Sequence, residues 1–132
     1  MSAAFAAATA VFAKVGLQGV DSDLATLIRT FIIVLLLALF VAGTGKWSNP
    51  FLLNGKTWLF LGLSAFATGA SWVCYFKALQ LGPASLVAPI DKLSVVLVVL
   101  LAFLFLGERP SIREWIAVGL IGTGAVLLAL KR

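Results

Sequence analysis

Histidine is absent from the 132 residues, and cysteine occurs once, at Cys74. A single cysteine cannot close a disulfide within the chain, and without histidine the commonest transition-metal ligand is missing. Cys74 is read as a small apolar helix residue, so no metal, redox group or other cofactor is expected. Charge is also scarce, at 11% of residues. There is no Gly-x-Ser-x-Gly elbow and no phosphate-cradling Gly-x-x-x-x-Gly-Lys-Ser loop, which excludes an ATP-driven pump for this chain by itself. An intramembrane enzyme would need acid and base groups acting together, and the one deep carboxylate, Asp91, has no second carboxylate at its depth. The chain is therefore read as a non-enzyme.

What the chain has in abundance is apolar length. Hydrophobic residues make up 62% of it, and its mean hydropathy is +1.13. That composition lies far outside the range of soluble domains. Spanning ~30 Å of hydrocarbon takes about 20 helical residues. Five segments meet this within error, at roughly 3–20, 24–43, 57–81, 84–106 and 112–130, which predicts an all-α integral membrane domain occupying residues 1–132 with no separate soluble domain. The first is the weakest, being short, alanine-rich and interrupted by Lys14. No Lys or Arg precedes residues 3–13, so this stretch is read as the first span rather than as a cleaved leader. Strands are ruled out because an open sheet would leave backbone donors unpaired in lipid.

The connectors carry turn and capping residues. Asp21, Ser22 and Asp23 can cap the second helix, Asn49 and Pro50 mark a turn before the third, and Gly82-Pro83 separates the third from the fourth. Glu108, Arg109 and Pro110 close the fourth, and Ser111 with Glu114 fits a capping box for the fifth. Short connectors make neighbouring helices antiparallel, and five spans put the termini on opposite faces. On the N-terminal face, A, lie Lys46, Lys56, Arg109 and Arg113; on the other, B, lie Lys77, Lys131 and Arg132. Adding Lys14, Arg29 and Lys92 to face B reverses the bias from four against three to four against six. Orientation is nearly balanced, which raises dual topology as a hypothesis. The ten Lys and Arg outnumber five Asp and Glu but are scattered singly, so nucleic acid is excluded as a partner.

Trp47, Trp58 and Trp115 fall near face A as an interfacial belt. Small residues recur at helix-packing spacing, as in Ala65 with Gly69 and Gly119 with Gly122. The least expected feature is charge inside the fourth span, where Pro89, Asp91 and Lys92 sit about a third of the way along. Ionised side chains in hydrocarbon cost roughly 2.5–3.5 kcal/mol each on insertion scales, so they face partner helices, a cavity or a transport path. From face B, the rise per residue puts Lys77 at about 6 Å, Arg29 at about 7.5 Å, Lys14 at about 9 Å, Asp91 at about 10 Å and Lys92 at about 12 Å. Two readings stand for these groups: a water-accessible basic vestibule that handles polar cargo, or snorkelling of Arg29 and Lys77 together with a buried lock, Asp91 with Lys14. Pro89 removes an amide donor and leaves the Ser85 carbonyl without its usual partner, which predicts a kink just ahead of Asp91. Broken helices near the membrane middle commonly build transporter sites.

Three stretches carry a resemblance. They are Phe76-Lys77-Ala78-Leu79-Gln80-Leu81-Gly82-Pro83-Ala84-Ser85, then Phe105-Leu106-Gly107-Glu108-Arg109, then Trp115-Ile116-Ala117-Val118-Gly119-Leu120-Ile121-Gly122-Thr123-Gly124. Together with five short spans, they resemble the EamA domain of the drug/metabolite transporter superfamily over essentially the whole chain. The resemblance implies half of a ten-helix, inverted-repeat transporter, similar to the single-domain bacterial and archaeal members. It also implies an antiparallel homodimer or a pair with a related half-size chain, in a prokaryotic inner membrane. Arg29 matches an arginine often found early in the second helix, and Lys14 fits a polar position in the first. Where many such units have proline after the Leu-Ser equivalent to Leu93-Ser94, Val95 stands here, and the proline is Pro89.

The expected function is secondary transport of a small metabolite, with efflux as the direction. Asp91 takes the coupling role, Lys14 and Lys92 are its partners or attract an anionic group, and Arg29, Trp72 and Tyr75 belong to the cavity. The competing expectation is a non-transporting membrane subunit whose embedded charges only lock helices together.

Overall fold

In the computed structural model, residues 1–130 are described, and every regular element among them is helical. Lys131 and Arg132, assigned to face B from sequence, lie outside the described residues. Helix α1 covers Ser2–Gly16, α2 Ser22–Gly43 and α3 Gly55–Leu81. The fourth apolar segment is built from α4 (Ala84–Asp91), α5 (Leu93–Leu101) and a π-helical turn, Ala102–Leu106; α6 follows at Ile112–Leu130. Four stretches are long and apolar enough to cross a membrane, Ser22–Gly43, Gly55–Leu81, Ala84–Leu106 and Ile112–Leu130. With 15 residues, α1 reaches only about 22 Å and falls short of a ~30 Å hydrocarbon core. The expected first span of 3–20 ends early because Gly19 takes a left-handed φ of 76° and the chain turns there into the cap of α2.

Helix ends follow from local chemistry. The Asp21 carboxylate accepts from the amides of Asp23 (2.9 Å) and Leu24 (3.2 Å), so it, and neither Ser22 nor Asp23, caps α2. Asn49 caps a short 3₁₀ turn, Pro50–Leu52, through the Phe51 amide at 3.1 Å. Asn54 does the same for α3 through the amide of Lys56, also at 3.1 Å. At α6 the capping box forms as expected: the Ser111 amide and hydroxyl donate to Glu114 Oε2, and the Glu114 amide donates to Ser111 Oγ at 3.4 Å.

The chain forms two compact units, Met1–Val11 with Leu81–Arg132, and Phe12–Gln80. In the first, α4 and α5 pack on α6, with Val118 and Ala125 buried on the α6 face. The approach there is close: a methyl group added at Gly122 would lie 3.3 Å from Val96 Cγ2, the use of a small residue that helix association in lipid favours. In the second unit Leu17, Ser22, Thr26, Phe76 and Leu79 are buried. Elsewhere large apolar side chains such as Phe31, Leu39, Phe60 and Phe66 face outward. An apolar exterior of this extent suits lipid rather than water as the surrounding medium.

Candidate functional site

The broken helix comes from residues 83–95. Pro83 starts α4 with its carbonyl accepting from the amides of Leu86 (3.0 Å) and Val87 (3.1 Å). Pro89 sits inside α4, yet the break falls three residues later, at Lys92, where ψ is −7°. There the Lys92 amide bonds to the Pro89 carbonyl (3.1 Å), and the Val95 amide to the Lys92 carbonyl (3.0 Å). These i to i−3 bonds tighten the backbone on the C-terminal side of the proline, so the expected kink ahead of Asp91 is displaced beyond it. Consecutive residues on an unbroken helix do not face one another. At the break, Asp91 Oδ2 and Lys92 Nζ approach to 3.6 Å, with both side chains partly exposed. The pair brings a carboxylate and an ammonium into the middle of an apolar span with no net charge.

The remaining expected site residues lie in the other unit, mostly between α2 and α3. The Lys14 ammonium donates to the Leu79 carbonyl at 2.6 Å. Leu79 belongs to the last turn of α3, where carbonyls lack helical partners and the helix dipole favours a cation, so Lys14 closes a helix end. Gln80 Nε2 donates to the Val20 carbonyl at 3.0 Å, tying the same helix end to the turn before α2. Arg29 is held differently. Its guanidinium carbon lies 4.7 Å from the Trp72 ring centre and 5.1 Å from that of Phe76. Tyr75 is half-buried and meets Phe76 edge-to-face at 6.3 Å. An arginine over two rings one helical turn apart is a cation–π clamp, which adds a packing role to the snorkelling read from sequence.

Trp72 also forms one end of a groove of about 640 Å³ between α2 and α3. Its polar wall comes from Asp23, Thr26, Thr30, Ser64 and Thr68. The hydroxyls of Thr26 (2.8 Å), Thr30 (2.7 Å) and Thr68 (2.8 Å) each donate to the carbonyl four residues earlier. Their protons are thus engaged, and their oxygen lone pairs remain to accept from a ligand. Sequence reasoning passed over this wall. The i, i+4 spacing of Thr26 with Thr30 and of Ser64 with Thr68 was the available signal, but among small residues it reads as helix packing. Among the described residues no cluster of His, Cys, Asp and Glu could hold a metal ion.

A helical domain with an apolar exterior, four membrane-length helices and a charged break inside one of them defines a polytopic membrane protein of the transporter type. The chain belongs to the EamA-like transporter family, which it matches over residues 1–130. It is 56% identical over 130 residues, 98% of this chain and 92% of the relative, to an uncharacterized transporter in the cobO 3′ region of Sinorhizobium sp.. More distantly, it is 29% identical over 73 residues to the probable 4-amino-4-deoxy-L-arabinose-phosphoundecaprenol flippase subunit ArnE of Hamiltonella defensa, covering 55% of this chain and 66% of that one. It is 32% identical over 69 residues to the protein of the same name from Yersinia pestis strain Pestoides F, covering 52% and 60%. No solved structure matches the chain.

Proposed function

We propose that the chain is a secondary transporter that exports a small metabolite from a prokaryotic cell across the inner membrane. Its working form is an antiparallel pair, either of two copies or of one copy with a related half-size chain, with α1 and the turn after it serving as the fifth span of each half. The observation that carries this reading is the Asp91–Lys92 pair at a helix break inside the 84–106 span. Asp91 is the coupling group, exchanging Lys92 for a proton or for cargo. Lys14 and Arg29 supply positive potential in the unit that holds the groove, and Trp72 and Tyr75 shape the cavity wall. The nearly balanced loop charges support antiparallel insertion, and the ArnE relatives, named as flippase subunits, support pairing as such.

A thermal-shift screen of the purified protein against pooled metabolites identifies cargo, because a ligand that binds the folded state raises its melting temperature. Transport of that cargo in proteoliposomes is then expected to fail in Asp91→Asn while the protein stays folded. The Lys14–Leu79 contact favours a second reading, in which the embedded charges lock helices and the chain is a non-transporting subunit. Absence of uptake or efflux by the unmodified protein in proteoliposomes would select that reading, whereas intact transport with a lowered melting temperature in Asp91→Asn would show that Asp91 is a lock and not the coupling group. Labelling of single cysteines placed at either terminus of a Cys74→Ala background tests pairing, and one fixed orientation would exclude an antiparallel homodimer.

A further inference from the structure

The π-helical turn Ala102–Leu106 and the corner after it build a second cavity, of about 330 Å³, entirely within the unit that contains α5 and α6. Its floor is apolar. Val98, Val99 and Ala102 lie on one wall, with Ala102 at i+4 and i+3 from the two valines, and Ala117 and Val118 lie on the other, at i+3 and i+4 from Glu114, spacings that place residues on one helix face. Its rim is charged. Gly107 turns the chain with a left-handed φ of 69°, and the next two residues, Glu108 and Arg109, line the cavity mouth with Glu114.

Depth and charge together specify an occupant. The mouth lies between the end of the 84–106 stretch and the start of 112–130, and the ends of membrane-length apolar helices belong at the membrane surface. Trp115 stands at the same level, packed edge-to-face on Phe103 at 6.0 Å, as interfacial aromatics do. The Glu108 and Arg109 side chains make no hydrogen bond or ion pair to any described residue. Glu114 is engaged with Ser111 only through Oε2, which leaves Oε1 to accept. The rim therefore offers one guanidinium fork and two carboxylates, a net charge of −1, above a groove that runs into hydrocarbon.

We propose that this cavity is a binding site for a phospholipid with a zwitterionic, primary-amine headgroup. Arg109 takes the phosphate, Glu108 with Glu114 Oε1 takes the ammonium N–H donors, and the upper part of one acyl chain lies along Val98, Ala102 and Ala117. A guanidinium matches phosphate oxygens in a fixed fork. Two carboxylates disfavour a purely anionic head, and a quaternary ammonium has no N–H to give them. Phosphatidylethanolamine is thus preferred over both phosphatidylglycerol and phosphatidylcholine. The site is separate from the charged break and from the α2–α3 groove, and it does not depend on what the protein transports.

Native mass spectrometry of the delipidated, full-length protein tests this, with each of the three lipids offered at equal concentration. Phosphatidylethanolamine is expected to be retained about fivefold better than either of the others, the scale of one net hydrogen bond of about 1 kcal/mol. Glu108→Gln is expected to erase its advantage over phosphatidylcholine, Arg109→Gln to weaken all three lipids, and Ala102→Phe to fill the groove and abolish retention. Equal retention of phosphatidylethanolamine and phosphatidylcholine by the unmodified protein, or a preference for phosphatidylglycerol, overturns the proposal. So does a preference that survives in both rim variants. The ranking of lipids on the unmodified protein decides the matter even where a variant fails to fold.

Discussion

Arg29 and Lys14 are both cations embedded in apolar helices, and each is accommodated by a different device. The Arg29 guanidinium spreads its charge over the faces of Trp72 and Phe76, a site lysine cannot reproduce because its ammonium is a compact, strongly hydrated point charge. A double-mutant cycle of Arg29→Met with Trp72→Leu, followed by reversible unfolding in detergent, should give a coupling of about 0.5–2 kcal/mol; additive effects would show that the stacking contributes nothing. Lys14 uses its ammonium to close the end of α3 at the Leu79 carbonyl. Lys14→Met is expected to destabilise the protein by about 1–3 kcal/mol, because it leaves that carbonyl without its donor. Lys14→Arg should recover part of the loss, and transport assays alongside will separate the anchor from a role in cargo binding. Sequence depth marked Lys14 as requiring a partner, whereas Arg29 was shallow enough to be read as snorkelling. It did not identify the partners, since a backbone carbonyl 65 residues away and a pair of stacked rings leave no mark on a linear pattern.

At the scale of elements, most boundaries were legible because caps and breakers act over three or four residues. Asp21 and the Ser111–Glu114 box were readable from spacing, and both form. Asp21→Ala should lower stability by about 1 kcal/mol, measured as a shift in the unfolding midpoint, whereas Asp23→Ala should leave it nearly unchanged. The fourth span was less legible. Pro89 marks a defect, but where the backbone absorbs it depends on which carbonyls later amides find, and it is absorbed at Lys92. The π-helical turn has no proline or glycine inside it and gave no sequence signal. Gly122 offers a sharper test of packing. Alanine there gains helix propensity and meets Val96 with only slight adjustment, so Gly122→Ala should be close to neutral. Gly122→Ile should cost about 1–3 kcal/mol through overpacking, and equal stability of the two variants would show that α5 and α6 do not meet at that point.

For the whole molecule, composition was decisive about class. With 62% hydrophobic residues arranged in membrane-length runs, helix in lipid is the state in which every backbone donor finds an acceptor, and the family match over residues 1–130 agrees with it. Four of the five expected spans are long enough by themselves; α1, with 15 residues, is shorter than the about 20 needed to cross alone. The threonine- and serine-walled groove and the cavity under Glu108 and Arg109 required the folded structure, since each joins residues from different helices. Sequence by itself determined the solvent, the helical class of the elements and the positions of the anomalous charges. These follow from local propensity and from the cost of transferring each residue into hydrocarbon. Tertiary structure alone decided what each charge touches and where space is left between helices. Those depend on how side chains far apart in the chain fill the same volume, and hydropathy does not record that.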